Sequence, residues 1–145
     1  PRNYKRTMSM DKADAIVAIA GPVMNFILAI IFTLIYCAIY KFVGIGVITS
    51  SSIGSILMTM LLYTISINVG LGVFNLIPLP PLDGSKVIKP FLSFNAKNWF
   101  ENNEQTFELI FVILWIFNIL SKIVSPLISV ALSGILKLGY IIFGL

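Results

Sequence analysis

Long stretches without charged residues alternate with short polar stretches along the chain. Residues 15–40 carry no charged side chain, and neither do residues 53–82. A helix that crosses a bilayer needs about 20 consecutive apolar residues. We therefore predict a first membrane span over residues 15–40 and a second over residues 53–77, with a short polar loop between them.

Two further apolar runs follow a polar region at residues 83–105. Residues 107–120 form a third predicted span, and the sequence breaks at Ser121–Lys122 and again at Ser125–Pro126. Residues 127–145 are apolar but are interrupted by Lys137. This last run is either a fourth span or a helix lying along the membrane surface, and the pattern leaves both open.

The composition places the chain among membrane proteins. Of the 145 residues, 58% are hydrophobic and 11% are charged, whereas soluble domains carry about 25% charged residues. We predict an all-α, polytopic membrane protein with three to four transmembrane helices, forming a single membrane domain over residues 1–145. The net charge of +4 is spread between the apolar runs, which favours contact with a lipid bilayer over nucleic acid. The composition defines no oligomeric state.

The basic residues predict the orientation of the first two spans. Cytoplasmic loops carry an excess of lysine and arginine. Only Lys41 lies in the loop between the two spans, and the other basic residues near them lie before the first span or after the second. We therefore expect a hairpin whose two ends are cytoplasmic; the residues concerned are Arg2, Lys5, Arg6 and Lys12 before it, and Lys86, Lys89 and Lys97 after it.

The Pro-rich segment at residues 78–84 is the strongest candidate for a functional site. Pro78, Pro80 and Pro81 lack backbone donors and together cannot continue a helix. Irregular backbone at membrane depth is tolerated only where it is buried in protein or lines a wet cavity. Asp83 is the only acidic residue between Asp14 and Glu101, and a carboxylate there marks a functional site by default.

These features predict a polar pocket with Asp83 and Asn75 at its wall. Gly84 directly after Asp83 allows a sharp turn of the backbone. The alternative is a Pro-rich helix exit at the interface, in which Asp83 is simply solvated and Asp-Gly is an ordinary turn.

Other polar residues in the spans have structural interpretations beside functional ones. Gly21, Pro22 and Asn25 form a second small constellation in the first span, which is either near the site or a packing kink. Cys37 is the only cysteine and is expected to be a buried small apolar residue. The chain contains no histidine, which excludes a Ser-His-Asp triad and a histidine-based zinc site within this chain.

The sequence around these residues resembles a known family. The motif Asn75-x-x-Pro78-x-Pro80-Pro81-Leu82-Asp83-Gly84 resembles the third core segment of site-2 protease-like intramembrane zinc metallopeptidases. The earlier motif Ala20-Gly21-Pro22-x-x-Asn25 is similar to the Gly-Pro helix that precedes that segment. The lead-in at residues 1–4 resembles the loop that enters this helix in the short bacterial branch of the family.

The resemblance implies a fold, a cofactor and a set of roles. It implies that Asp83 is the third zinc ligand and that Asn75 lines the active site. It implies a zinc metalloendopeptidase of the bacterial cell membrane whose substrates are membrane proteins. Five residues would be structural positions near the site: Gly21, Asn25, Pro78, Pro81 and Gly84.

One departure from the family pattern is large. The family takes its other two zinc ligands and its general base from an upstream His-Glu-x-x-His helix, which a chain without histidine lacks. We expect this chain to be inactive alone, because one ligand cannot hold a catalytic zinc. We expect it to be the C-terminal part of such an enzyme, since it begins with Pro1 rather than Met. The alternatives are a catalytically dead homologue that binds membrane clients and a fragment of a transporter.

Overall fold

The structure is a computed structural model that describes the backbone of residues 4–145 and the side chains of residues 10–145. Within this part the chain is helical and has no strand, so the all-α prediction is confirmed. Seven α-helices occur in it, with a 3-10 turn over Lys89–Phe91: α1 (Tyr4–Val43), α2 (Ile45–Ser50), α3 (Ser52–Asn75), α4 (Asp83–Ile88), α5 (Phe94–Asn102), α6 (Glu104–Ile116) and α7 (Ile119–Phe143).

Three of these helices are long and apolar enough to cross a membrane. They are α1 from Met10 onward, α3 and α7. Many of their large apolar side chains point outward, among them Val17, Ile67 and Val130, as expected where lipid rather than water surrounds the helices. The chain is therefore a multi-pass membrane protein, and the number of span-length helices lies within the predicted range.

Helix α1 is longer than the predicted first span. It begins at Tyr4 and continues to Val43, through Gly21 and Pro22. Asp11 and Asp14 lie inside it, because no glycine or proline separates Tyr4 from Asp14. The predictions that rest on Pro1–Asn3, and on the side chains of Lys5 and Arg6, lie outside the described residues.

The boundary between the last two helices differs from the prediction. The chain turns at Phe117–Asn118, where Asn118 takes a φ of 56°, a left-handed conformation that asparagine tolerates better than most residues. The expected breaks at Ser121–Lys122 and Ser125–Pro126 lie inside α7. The predicted span over residues 107–120 is corrected accordingly: α6 ends at Ile116 and, at about 20 Å, is shorter than the hydrocarbon core.

The three long helices pack around a small apolar core. Its fully buried members are Ala29 of α1 and Ile65 and Val69 of α3, and the neighbouring side chains of α7 are Ile128, Ala131, Leu132, Ile135 and Leu136. Helices α1 and α3 are antiparallel, joined through α2. Helix α7 therefore lies against both and is positioned as the third span.

Helix α7 runs parallel to α1. Gly139 lies against Thr33 and Cys37, and Lys41 near the end of α1 donates a hydrogen bond to the carbonyl of Phe143 near the end of α7. A Cβ on Gly139 would come within 2.7 Å of Thr33 Cγ2 and 2.9 Å of Cys37 Sγ. Small residues allow this kind of close helix approach in membranes. Cys37 is buried there, as predicted.

Candidate functional site

Asp83 lies in the first turn of α4, directly after the irregular Pro-rich segment. Helix α3 ends at Asn75, and residues 76–82 form successive turns before α4 begins. The predicted end of the second span at residue 77 is thus close to the observed one, and the predicted irregular backbone is confirmed. The peptide bond between Pro80 and Pro81 is cis.

Gly84 holds α4 tightly against the end of α3. A Cβ at this position would lie 2.3 Å from the carbonyl oxygen of Ile77 and 2.4 Å from that of Leu76. No real Cβ occupies such positions, and backbone atoms cannot rotate away as a side chain can. The glycine after Asp83 is therefore required for close approach of two backbones as well as for the turn itself.

Gly21 of α1 lies beside the Asp83 carboxylate. A Cβ on Gly21 would stand 3.9 Å from Asp83 Oδ2, which is ordinary van der Waals contact. The Gly-Pro motif of the first span and the Asp-Gly motif after the second are thus brought together, although more than sixty residues separate them in the sequence.

A cavity of about 540 Å³ opens beside Asp83 between α1, α4 and the region that follows it. One wall is apolar and belongs to α1, with Val17, Ala18 and Gly21. The rest is strongly charged and carries both signs: Asp11, Asp14, Asp83, Lys86, Lys89 and Glu101. The sequence predicted a polar pocket with Asp83 and Asn75 at its wall; this cavity is lined by Asp83 and not by Asn75.

Asp83 is half-exposed and paired with a lysine. Its Oδ1 lies 3.3 Å from Lys86 Nζ, three residues further along α4. An exposed ion pair of this kind contributes about 0–1 kcal/mol. Lys86, which the sequence analysis used only to orient the spans, therefore also contacts the candidate acid.

A chain of alternating charges borders the same cavity. Lys97 Nζ lies 2.5 Å from Asp11 Oδ2 and 3.9 Å from Glu101 Oε1, and Lys89 Nζ lies 3.9 Å from the same Glu101 oxygen. Lys97 and Asp11 are only 17% and 19% exposed. These pairs connect α1 to α5 and to the 3-10 turn.

Sequence reasoning missed the acidic residues of α1. Asp14, Val17, Ala18 and Gly21 follow the i, i+3, i+4, i+7 spacing of one helix face. That spacing was the available signal: it places Asp14 on the face that carries Gly21.

The remaining predicted site residues lie outside the cavity. Asn25 and Asn75 are half-buried and do not line it. Pro78 and Pro81 are exposed, whereas Pro80, which belongs to the motif but was not among the five structural positions predicted near the site, is fully buried. The role predicted for Asn75 at the wall of an active site remains a prediction.

The described residues do not by themselves form a zinc site. Among them no three His, Cys, Asp or Glu side chains converge so as to hold a metal ion. A catalytic zinc takes three protein ligands, usually including histidine, and the whole sequence has none. The donor set at Asp83 fits one ligand of such a site and not a complete one.

Comparisons with known proteins point to one family. The model of Peptidase family M50 matches residues 7–118. The Bacillus subtilis protein named "Putative zinc metalloprotease YwhC" is 31% identical over 131 residues, covering 90% of this chain and 58% of its own length. The Methanocaldococcus jannaschii protein named "Putative zinc metalloprotease MJ0611" is 37% identical over 78 residues, covering 52% of this chain and 35% of its own length.

The chain therefore spans little more than half of one relative and about a third of the other. No solved structure matches the chain significantly.

Proposed function

The chain belongs to peptidase family M50, the site-2 protease family, and on that premise we propose that it is part of a zinc-dependent intramembrane metalloendopeptidase. The full enzyme hydrolyses peptide bonds of membrane proteins, and this chain alone is inactive. The observation that supports the proposal best is the contact between the two family-like motifs. Asp83, after the end of α3, and Gly21, within α1, both line the charged cavity, and a Cβ on Gly21 would stand 3.9 Å from Asp83 Oδ2.

Asp83 is the zinc ligand that this chain contributes. A carboxylate is a suitable oxygen ligand for zinc, and the amide of asparagine is a much poorer one. The other two ligands and the general base come from a His-Glu-x-x-His segment of the full-length protein. When bound, the metal polarises a carbonyl and activates a water molecule for hydrolysis.

The neighbouring residues support Asp83 in this proposal. Gly84 and the turns from Pro78 to Pro81 fix the start of α4, and with it the position of the Asp83 carboxylate. Gly21 leaves room beside that carboxylate. Asn25 packs in the first span. Asn75 orients substrate or water at the wall of the completed site, a role that requires the part of the protein absent from this chain.

The enzyme is placed in the bacterial cell membrane, with the Asp83 end of the bundle on the cytoplasmic side. The asymmetry of lysine and arginine around the first two spans supports this orientation. The B. subtilis relative supports a bacterial setting. The substrates of the proposed enzyme are membrane proteins, whose helices must unwind locally before a carbonyl is free to react.

Replacement of Asp83 tests the proposal. In the full-length protein, Asp83→Asn should abolish cleavage of a transmembrane reporter and lower the bound zinc, while the protein remains inserted in the membrane. Asn75→Ala should reduce cleavage less, because that residue does not hold the metal. Asp14→Asn is the matched control, since it makes the same chemical change in the same cavity, and it should retain cleavage and zinc.

Three results would contradict the proposal. Full activity of Asp83→Asn with normal zinc content would remove Asp83 from the metal site. Equal loss in Asp83→Asn and Asp14→Asn would assign the effect to the charge of the cavity as a whole. A wild-type protein that binds the reporter without cleaving it and without zinc would indicate a client-binding homologue.

A further inference from the structure

Residues 89–102, which we call the surface segment, expose aromatic side chains within a polar stretch. The segment contains the 3-10 turn and α5, with lysine and several asparagines among its residues. Yet Phe91 is 85% exposed, Phe94 63% and Trp99 60%. Three large aromatic side chains held open on a polar segment are unfavourable in water, and such exposure marks a surface that contacts something.

An ion pair fixes the depth of the surface segment along the helix bundle. Lys97 of α5 binds Asp11 of α1 at 2.5 Å, and both side chains are mostly buried. Asp11 lies one helical turn before Ala15, where the charge-free stretch of α1 begins. The segment is thus attached at the level where α1 passes from polar to apolar sequence, which is the level expected for the boundary between lipid headgroups and hydrocarbon.

The chemistry of the segment fits that boundary. Tryptophan is enriched at membrane–water interfaces because its ring is apolar and its N–H is polar. Three asparagines of the segment, and a fourth directly after it, supply amide groups that hydrogen-bond headgroups and water: Asn95, Asn98, Asn102 and Asn103. Lys86 lies beside the segment and Lys89 belongs to it, and both attract anionic lipids.

We propose that the surface segment is a membrane-interface element that inserts Phe91, Phe94 and Trp99 among the lipid headgroups. Its occupant is the lipid bilayer itself. The proposal does not depend on the peptidase activity, because it rests on exposure, depth and composition.

The position of the segment determines where the charged cavity opens. Lys89 and Glu101 belong to the segment and also line the cavity beside Asp83. A segment held among the headgroups therefore sets the rim of that cavity at the membrane surface. Molecules that reach Asp83 then come from the interface.

Tryptophan fluorescence in vesicles of brominated phosphatidylcholine tests the proposal. In the full-length protein, every tryptophan except Trp99 is replaced by phenylalanine. Bromines near the headgroup end of the acyl chains should quench Trp99 at least twofold more than bromines deep in the chains. The reference is Ile67→Trp in a background without other tryptophans, since Ile67 is exposed on α3 and lies within the span; its quenching should show the opposite order.

Two results would overturn it. If iodide in the water quenches Trp99 strongly and lipid bromines leave it unquenched, the segment lies in solution or against a protein. If Trp99 and the Ile67→Trp reference show the same depth profile, the segment is buried in the hydrocarbon. Reporter cleavage is measured on the same variants, so that a failure of the interface proposal is distinguished from a failure of the proposed peptidase function.

Discussion

Two glycines show how differently the two halves of this helix bundle are built. Gly84 lies at the Asp83 end, where the nearest atoms to an added Cβ are backbone carbonyls at 2.3 and 2.4 Å. Gly139 lies at the contact of α1 with α7, where the nearest atoms belong to the side chains of Thr33 and Cys37. Both positions exclude a larger residue, but only at Gly139 can the neighbours adapt.

The surroundings of the two glycines differ as much as their contacts. The Asp83 end carries charges of both signs and an open cavity. The α1–α7 contact is closed, and Thr33 Oγ1 is buried there without a hydrogen-bond partner among the described residues. The comparison indicates that backbone contact positions the candidate acid, whereas side-chain packing holds the spans together.

The largest effect is expected for Gly84→Ala. The new Cβ forces α4 away from the end of α3, because neither carbonyl can move without disturbing the Pro-rich turns. We expect a loss of about 3 kcal/mol or more in the free energy of unfolding, together with loss of reporter cleavage in the full-length protein. Thermal unfolding in detergent measures the first and the cleavage assay the second.

Gly134→Ala serves as the control for that substitution. Nothing lies within 4 Å of a Cβ at Gly134, and alanine favours helix by up to about 1 kcal/mol over glycine. This variant should be as stable as the wild type or more stable. Unchanged stability and activity in Gly84→Ala would show that the backbone contact is not required.

A smaller and partly reversible effect is expected for Gly139→Ala. Its Cβ meets the methyl group of Thr33 and the sulfur of Cys37, and overpacking of this kind costs about 1–3 kcal/mol. Thr33→Ser removes that methyl group. The double variant Gly139→Ala/Thr33→Ser should therefore recover part of the lost unfolding free energy, as a double-mutant cycle would measure. Additive effects of the two changes would contradict the contact.

The smallest effect is expected for the ion pair between Asp11 and Lys97. Its partial burial favours a coupling near the upper end of the range for exposed pairs, about 1 kcal/mol. A cycle of Asp11→Asn, Lys97→Gln and the double variant, followed by thermal unfolding, gives the coupling. High salt should weaken it. Coupling near zero at low salt would mean that the pair does not secure α5.

The sequence predicted the elements better than their contacts. The charge-free runs predicted the bounds of the apolar parts of α1 and α3 to within a few residues, and three prolines marked the end of α3. Both signals are local in the sequence. The turn at Asn118 was missed because asparagine is a weaker helix breaker than proline, so the break was expected at Pro126. Helix α7 accommodates that proline.

The candidate site was predicted only at its most distinctive residue. Asp83 stood out because an acid after an apolar, Pro-rich stretch is rare. The contribution of Asp11 and Asp14 depends on how α1 packs against α4, and the need for glycine at position 84 depends on the path of residues 76–82. Neither is a local property of the sequence.

The unbroken length of α1 has a mechanical consequence. Forty helical residues measure about 60 Å, roughly twice the thickness of the hydrocarbon layer. Asp11, whose carboxylate pairs with Lys97 of α5, and Gly21, which lies beside the Asp83 carboxylate, are fixed about 15 Å apart on this one helix. A tilt of α1 would therefore move both points together, so a displacement of the surface segment would also displace the wall of α1 beside Asp83.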